Sequence, residues 1–378
     1  MKGNMRFCVP CLFGVEGLVA QELRDMGLEQ VQAENGRVLF SSGWEAMVRA
    51  NLCCRFGERV LLLLGEFPAR SFEELFQGVK ALPWEGLLGK EDAFPVTGSS
   101  LSSQLHSVPD CQAIIKKAIV ERLKAKYKLS WFAESGALHR VRFRILKDQV
   151  SVMVDTSGEG LHKRGYRALS NDAPMKETLA ASLCQLSRLR QDGHLIDPFC
   201  GSGTILIEGA LLARNIAPGL GRAFTAESWG SVPGQLWQQE RERARSLERR
   251  DTGFTAQGFD VDLAAVELTL ANAQKAGVGD CITASVRDVR DFTQEGPYGC
   301  VVCNPPYGER LLDVRQAQEL YRALGQVIQP RRGWSLGVIS PDPEFESLFG
   351  RKADKRRKLY NGMIQCQYYQ YFRGSDKR

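Results

Sequence analysis

The residues most informative about chemistry are the four consecutive residues Asn304-Pro305-Pro306-Tyr307. An exocyclic amino group of a nucleic-acid base is a poor nucleophile because its lone pair is delocalised into the ring. If its two N–H groups donate to the Asn304 side-chain oxygen and the Pro305 carbonyl, a pyramidal nitrogen with an available lone pair is favoured. The two prolines stiffen this arrangement, and Tyr307 offers a π face to the base. We therefore predict that these four residues are catalytic and act on a base amine.

A glycine-rich turn upstream, Asp197 to Thr204, connects an apolar segment to a helix-like one. Gly201 and Gly203 permit left-handed backbone angles, and the following helix offers free N–H groups at its start. No lysine follows Gly203, and the third glycine of the dinucleotide fingerprint is missing, so neither a P-loop nor that fingerprint is present. Asp197 would repel a phosphate and attract a cation. The turn therefore favours S-adenosylmethionine (SAM), which carries a sulfonium and an ammonium group.

Two further acidic residues end the next predicted strands. Asp260 is placed to accept hydrogen bonds from both ribose hydroxyls of an adenosine, and Asp288 to accept from the adenine amino group. An insertion, residues 217–253, separates Asp197 from Asp260. The alternative is that some of these acids, Asp262 above all, only cap helices. The predicted cofactor-binding residues are Asp197, Pro198, Phe199, Gly201, Ser202, Gly203, Thr204, Asp260, Asp288 and Val289.

The elements that must position these residues follow two patterns. From Lys176 onward, apolar strands alternate with helices, which is typical of a mostly parallel, Rossmann-like α/β sheet. Asn361-Gly362 lies between two β-rich runs and predicts a closing antiparallel hairpin. The predicted strands are Leu195 to Asp197, Thr255 to Asp260, Ile282 to Arg287, Gly299 to Cys303 and Ser335 to Ser340, and the predicted helices are Ile205 to Ala213, Leu263 to Ala276 and Ala317 to Ile328.

The N-terminal part has shorter alternations, which predict two α+β units, one from Met5 to about Leu64 and one from Ser71 to about Leu161. The predicted elements of the first unit are Arg6 to Pro10, Glu16 to Asp25, Gly36 to Phe40, Trp44 to Asn51 and Arg59 to Gly65, and those of the second are Phe72 to Lys80, Cys111 to Tyr127, Arg140 to Leu146 and Gln149 to Asp155.

Composition narrows the class of protein. The chain has 378 residues, of which 43% are hydrophobic and 25% charged, as in ordinary globular proteins of more than one domain. No apolar run is long enough to span a bilayer, and Met1 to Phe7 lacks a signal-peptide core. We therefore expect a cytoplasmic protein without a membrane partner.

The eleven cysteines are interpreted as reduced thiols. The pairs Cys8/Cys11 and Cys300/Cys303 are compatible with a redox dithiol or a zinc site. However, the second pair lies inside an apolar strand, and the pairs are nearly a chain length apart, which favours packed thiols.

Methyl transfer by in-line displacement at the sulfonium depends on positioning and electrostatics, and no metal ligands are assigned.

Basic residues are clustered although the net charge is only +6. The clusters are His162-Lys163-Arg164-Gly165-Tyr166-Arg167, Lys116 to Lys128, and Arg351 to Lys358. Each is either a phosphate-binding patch or a solvated surface. His162, Lys163, Arg164, Tyr166 and Arg167 are the predicted RNA-binding residues.

The motifs Asp197-Pro198-Phe199-Cys200-Gly201-Ser202-Gly203-Thr204 and Asn304-Pro305-Pro306-Tyr307-Gly308-Glu309-Arg310-Leu311 resemble those of THUMP-containing class I RNA methyltransferases, close to the 23S rRNA guanine-N2 enzymes. Leu161 to Arg167, Ala173-Pro174 with Glu177, and Leu359 to Gly362 also match that group. The resemblance covers essentially the whole chain. It implies a ferredoxin-like domain over 1–65, an RNA-binding THUMP domain over 66–158 and a SAM-dependent methyltransferase domain over 159–378.

The predicted function is thus SAM-dependent methylation of guanine N2 in structured RNA, with 23S rRNA as the expected substrate. Two other substrates stay open, because tRNA guanine N2 fits the same resemblance and the Asn-Pro-Pro-Tyr motif also serves adenine N6 in DNA. The N-terminal half is basic and shows no DNA-reading helix-turn-helix or zinc finger, which favours RNA. A non-catalytic RNA-binding protein that keeps the fold is a further alternative. The oligomeric state is left open.

Overall fold

The computed structural model of the protein describes residues 4–167, 175–294, 296–307, 314–328 and 331–372. These residues form two compact units. The N-terminal unit contains the described residues of 1–11, 19–161 and 223–243, and the C-terminal unit those of 12–18, 162–222 and 244–378. The motif residues Ala173, Pro174 and Gly308 to Leu311 lie outside the described residues.

The N-terminal unit is built on one seven-stranded sheet. Its elements are β1 (Met5–Pro10), α1 (Glu16–Asp25), β2 (Gln32–Glu34), β3 (Arg37–Ser42), α2 (Trp44–Cys53), β4 (Leu61–Pro68), α3 (Phe72–Lys80), β5 (Val96–Leu101), α4 (Val108–Tyr127), β6 (Val141–Leu146) and β7 (Gln149–Asp155). The strand order is β2-β3-β1-β4-β7-β6-β5, and all neighbours are antiparallel except β5 and β6. The two predicted α+β units therefore share a sheet, joined where β4 pairs with β7.

The C-terminal unit contains the predicted parallel sheet. Its elements are α5 (Glu177–Leu186), β8 (His194–Asp197), α6 (Thr204–Ala213), β9 (Thr255–Asp260), α8 (Leu263–Lys275), β10 (Ile282–Val286), β11 (Gly299–Cys303), α9 (Val314–Val327), β12 (Trp334–Ser340), α10 (Phe345–Phe349), β13 (Lys355–Asn361) and β14 (Ile364–Phe372). Helix α7 (Gln235–Ser246) lies between α6 and β9 in the chain, and its residues up to 243 belong to the N-terminal unit. The strand order is β10-β9-β8-β11-β12-β14-β13.

The first five strands of this order are parallel, and β14 and β13 are antiparallel. The predicted closing hairpin at Asn361-Gly362 is thereby confirmed. β8 and β11 are apolar and almost wholly buried because helices cover both faces of a central parallel sheet. The Rossmann-like fold class predicted from the alternation is confirmed.

The insertion before β9 divides between the two units. Residues 223–243 belong to the N-terminal unit, although the sequence placed them within a domain spanning 159–378. There, the Trp229 indole stacks on His139 with ring centroids 4.4 Å apart and donates to the Leu138 carbonyl at 3.0 Å. Glu240 accepts two hydrogen bonds from Arg49, at 2.8 and 2.9 Å. These contacts explain why the segment between Asp197 and Asp260 is longer than a simple crossover.

Candidate active site

The two sequence motifs meet at the point where the strand order of the C-terminal sheet reverses. From β8 the chain builds outward through β9 and β10 on one side, and through β11 and β12 on the other. Loops at the carboxyl ends of strands diverge at such a point and leave a crevice that binds ligands. Asp197 ends β8, and Asn304 directly follows β11. The fold therefore brings the glycine turn and the Asn304 to Tyr307 segment to the same crevice.

Both glycines of the turn have left-handed backbone angles, with φ of +52° at Gly201 and +78° at Gly203. A Cβ at Gly203 would lie 2.8 Å from the Thr269 Cγ2, whereas one at Gly201 would meet nothing within 4 Å. Gly203 is thus required by packing on α8. Gly201 faces open space, so a ligand can approach its backbone closely.

Two polar residues of α8 hold the turn in place. The Thr269 hydroxyl donates to the Gly201 carbonyl at 2.8 Å, and the Asn272 amide donates to the Ser202 carbonyl at 3.0 Å. Both side chains are buried. Sequence reasoning missed them, although two polar residues three positions apart in the otherwise apolar stripe of a helix are a signal that could have indicated this role.

Asp197 is a buried carboxylate in the crevice. Its side chain is 1% exposed, and one oxygen accepts from the Phe199 N–H at 3.0 Å. Burial raises the pKa of this carboxyl to about 8, and the negative charge of Asp260 acts in the same direction. A cation beside it would favour the ionised form. This environment fits the positively charged part of SAM.

Asp260 connects the second strand to the glycine turn. Its Oδ2 accepts from the Gly201 N–H at 2.9 Å, and its Oδ1 accepts from the Asp262 N–H at 3.1 Å. Each carboxylate oxygen keeps a further lone pair, so two hydroxyl donors can still be accommodated. Asp262 accepts from the Ala264 N–H at 2.9 Å and caps α8, as the alternative reading proposed.

Asp288 also has a structural role. It caps a short 3₁₀ turn that begins at Val289, accepts from the Arg290 N–H at 2.8 Å and pairs with the Arg290 guanidinium at 2.8 Å. Val289 is buried in the core of the unit. Beside these acids, Val261 is 69% exposed and Val286 52% exposed. Apolar side chains at the end of a sheet are suited to the faces of an adenine ring.

The remaining predicted cofactor residues support the turn. Pro198 and Ser202 are buried, and Phe199 packs against the core. Thr204 is the first residue of α6, and its hydroxyl accepts from Arg167 at 2.6 Å. The residues present thus fit SAM, since the Asp197 carboxylate could meet its cationic end, the Asp260 carboxylate could accept from its ribose, and Gly201 would leave room for it.

Asn304 to Tyr307 form a hydrogen-bonded segment after β11. The Tyr307 hydroxyl donates to the Asn304 Oδ1 in a very short contact, and the Asn361 amide donates to the Tyr307 oxygen at 3.3 Å. Burial raises the pKa of Tyr307 far above its ordinary value, so the phenol stays a proton donor. The Pro306 carbonyl accepts from the Tyr321 hydroxyl of α9 at 3.1 Å. Sequence reasoning missed both Tyr321 and the contact made by Asn361.

The structure corrects the predicted RNA-binding cluster. Arg164 and Tyr166 are buried and bind the Glu208 carboxylate, at 3.3 and 3.1 Å respectively. Arg167 pairs with Glu177 at 3.6 Å in addition to its bond to Thr204. These contacts stabilise the segment around α6, and they leave Arg164 and Tyr166 with little exposed surface, whereas Arg167 is partly buried. His162 is partly buried, and Lys163 is exposed.

The basic helix of the N-terminal unit, α4, is partly neutralised. Lys116 pairs with Glu134 at 2.5 Å and lies over the Phe94 ring, and Lys124 pairs with Glu121 at 3.0 Å. Lys117, Lys126 and Lys128 form no ion pair among the described residues.

The cysteines are free thiols, most of them buried. Burial raises the pKa of Cys300 to about 11 and that of Cys303 well above its ordinary value, which opposes formation of a reactive thiolate. Within the described part of the chain, no group of three or more metal-ligating side chains is present. No helix among the described residues is long and apolar enough to cross a membrane.

Comparison with known families gives three matches along the chain. Residues 6–61 match the RlmL ferredoxin-like domain, residues 69–155 match the THUMP domain, and residues 164–370 match the RMKL-like methyltransferase domain. The chain belongs to the RMKL-like methyltransferases. The resemblance seen in its motifs is thereby confirmed, as is the predicted class of cofactor, SAM.

Individual relatives agree with this family. The candidate RNA methyltransferase YpsC of Bacillus subtilis is 44% identical over 95% of this chain and 94% of its own length. The ribosomal RNA large subunit methyltransferase K/L of Psychromonas ingrahamii is 35% identical over 99% of this chain and 51% of its own length. A crystal structure of SMU.472, a candidate methyltransferase complexed with S-adenosylhomocysteine (SAH), is 41% identical over the whole of both chains, with a TM-score of 0.94.

Proposed function

We propose that this RMKL-like methyltransferase transfers the methyl group of SAM to N2 of a guanine in structured RNA, and that 23S rRNA is its substrate. The observation that carries the proposal is the placement of Asn304 to Tyr307 across the sheet's reversal point from the glycine turn and Asp197. A base amine held by Asn304 is then directed at the cofactor crevice. When bound, SAM supplies an electrophilic methyl group on a sulfonium.

The contribution of the chain to the reaction is to hold the amine. Two acceptors face the amine in this proposal, the Asn304 Oδ1 and the Pro305 carbonyl. The Asn304 Oδ1 accepts from the Tyr307 hydroxyl, and no described residue donates to the Pro305 carbonyl. Hydrogen bonds from both amine N–H groups keep the nitrogen lone pair out of conjugation and aim it along the line of displacement. The Tyr307 hydroxyl already donates to the Asn304 Oδ1, so an arriving amine either uses the second lone pair of that oxygen or displaces the phenol.

Tyr307 can then serve the base with its ring. Base stacking on an aromatic side chain contributes about 1–3 kcal/mol. The Tyr321 bond to the Pro306 carbonyl keeps the two prolines in place during this exchange. The methylated amine carries a positive charge until one of its protons leaves to solvent. No side chain is assigned as the general base.

RNA as the polymer is supported by the THUMP domain over residues 69–155 and by relatives named for RNA and ribosomal RNA. The choice of guanine N2 rests on the resemblance of the motifs, because Asn-Pro-Pro-Tyr is compatible with adenine N6 as well. The chain spans about half the length of the K/L relative. The activity for which that relative is named is therefore only a proposal for this chain.

The test is methyl transfer from labelled SAM to 23S rRNA that lacks its native modifications, followed by nucleoside analysis of the product. We expect N2-methylguanosine with the wild-type protein and none with Asn304→Ala. N6-methyladenosine, or label only in tRNA or duplex DNA offered in parallel, would replace the proposed substrate. Binding of SAM without turnover on any of these polymers would instead support a non-catalytic RNA-binding protein.

A further inference from the structure

The edge strand of the C-terminal sheet, β13, begins with four consecutive exposed basic residues, Lys355 to Lys358. The two arginines among them already have partners within the unit. Arg356 pairs with Glu346, with 2.9 Å between Nε and Oε1, and Arg357 donates to the Gly14 carbonyl at 2.6 Å. These contacts hold both arginine side chains in place, and of the two only Arg356 has its charge balanced by a carboxylate of the described residues.

Lys355 and Lys358 have no carboxylate within ion-pair distance among the described residues. Lys358 lies on the same face of the strand as Tyr360, with its ammonium 5.7 Å from the ring centroid. Lys355, three residues before Lys358, projects from the other face because side chains alternate along a strand. The strand edge thus carries positive charge on both of its sides.

The backbone of this edge is covered where the charges lie. A Cβ at Gly14 would be 2.7 Å from the Lys358 carbonyl oxygen, and Gly14 has a φ of +91°. Close packing of this glycine protects the edge from pairing with another strand. A partner on this surface would therefore contact the lysine side chains and not the backbone.

The far end of β13 reaches the catalytic segment. Its last residue, Asn361, donates to the Tyr307 hydroxyl, which in turn donates to Asn304. Lys358 precedes Asn361 by three residues and Lys355 by six, which corresponds to about 10 and 20 Å along a strand. The two lysines thus lie at different distances from the amine-binding residues of the same unit, one on each side of the strand edge.

We propose that β13 binds the RNA phosphates next to the target nucleotide, through Lys355 and Lys358, and so delivers the target base to Tyr307 and Asn304. This inference rests on the proposed function, because it takes RNA as the polymer. Phosphates are the expected partner, since both lysines are exposed, have no carboxylate partner among the described residues and stand on the strand that ends at Asn361. In this proposal, RNA is contacted both by the THUMP domain and by β13 of the catalytic unit.

The test compares two double variants of the full chain. Lys355→Gln/Lys358→Gln removes the two charges while keeping Arg356 and Arg357. Lys275→Gln/Arg332→Gln removes two exposed charges elsewhere in the same unit, at the end of α8 and just before β12. Binding of unmodified 23S rRNA is measured by filter retention at several salt concentrations, methyl transfer is measured on the same RNA, and SAH affinity checks folding.

We expect the β13 variant to bind RNA on the order of tenfold more weakly at low salt, with a salt slope reduced by about 1.4, or 0.7 for each lost phosphate contact. Its KM for RNA should rise by a similar factor while SAH affinity is unchanged. The control variant should match the wild type. If both variants bind RNA with the wild-type salt slope, the inference about β13 is wrong. If wild-type protein neither binds nor methylates this RNA, the proposed function has failed, and with it the inference that rests on it.

Discussion

Cofactor binding should depend on pH through Asp197. Burial raises the pKa of this carboxyl to about 8 in the cofactor-free protein, the Asp260 charge adds to the effect, and the Phe199 N–H opposes it. A carboxyl with that pKa is about nine-tenths protonated at pH 7. Only the ionised form attracts a cation, so binding a cationic group must displace the proton. Affinity is therefore gained as pH rises toward 8 and lost as pH falls.

The size of the effect follows from the ionised fraction, which is about 1% at pH 6 and about 50% at pH 8 for a pKa of 8. The affinity for SAM should thus rise about 50-fold across this interval, or about 2.3 kcal/mol. At pH 7, binding should release about 0.9 proton per cofactor. Above pH 9 the dependence on this group should vanish.

The assay is titration calorimetry with SAM and with SAH at pH 6, 7 and 8, each in two buffers that differ in ionisation enthalpy. Asp197→Asn is the matched control, because it keeps the size of the side chain and cannot titrate. The variant should bind weakly, with little pH dependence and no proton release. Wild-type affinity that changes less than about threefold between pH 6 and 8, without proton release, would refute the reasoning.

Four further outcomes are expected. Asn304→Ala should abolish turnover on RNA while leaving SAH affinity nearly unchanged, because Asn304 is assigned to the amine; a large loss of SAH binding would contradict this. Asp260→Ala should mainly weaken SAH binding, and unchanged affinity in calorimetry would argue against the ribose contact. In thermal or urea unfolding without cofactor, Gly203→Ala should lower the free energy of unfolding more than Gly201→Ala does. Both substitutions cost about 1–2 kcal/mol because alanine disfavours a left-handed backbone angle, but only the new Cβ at position 203 would clash with Thr269. Arg164→Met should lower the free energy of unfolding by about 3–5 kcal/mol, because the buried Glu208 carboxylate loses its ion-pair partner. The salt slope of RNA binding should be unaltered, and a reduced slope would instead indicate that Arg164 contacts RNA.

Much of the C-terminal sheet was predictable because its strands are short apolar runs bounded by polar turns. The prediction for β9, Thr255–Asp260, and that for β11, Gly299–Cys303, agree with the structure residue for residue. The elements that were missed lack such a pattern. β5 is polar and largely exposed at a sheet edge, and α5 is buried almost all round, so neither shows a distinctive periodicity.

The predicted RNA-binding cluster shows where local sequence misleads. Lys163, Arg164 and Arg167 form a basic run in the sequence, but Glu208, the partner of Arg164, lies 44 positions away on α6. A buried ion pair between distant segments leaves no mark in the neighbouring residues. The basic residues of β13 are likewise split by tertiary contacts, since Glu346 and Gly14 engage the arginines and leave the lysines available.

The sequence by itself determined the family of this protein, because the Asn304 to Tyr307 segment and the glycine turn are contiguous motifs that can be recognised from their residue types. It also determined the fold class, because hydrophobic periodicity is local. Only the tertiary structure decided which acids are buried, which cations are free, and that Asn361 from the terminal hairpin meets Tyr307. Burial and pairing depend on residues that are far apart in the chain, and that is why the raised pKa of Asp197 emerges only in the folded protein.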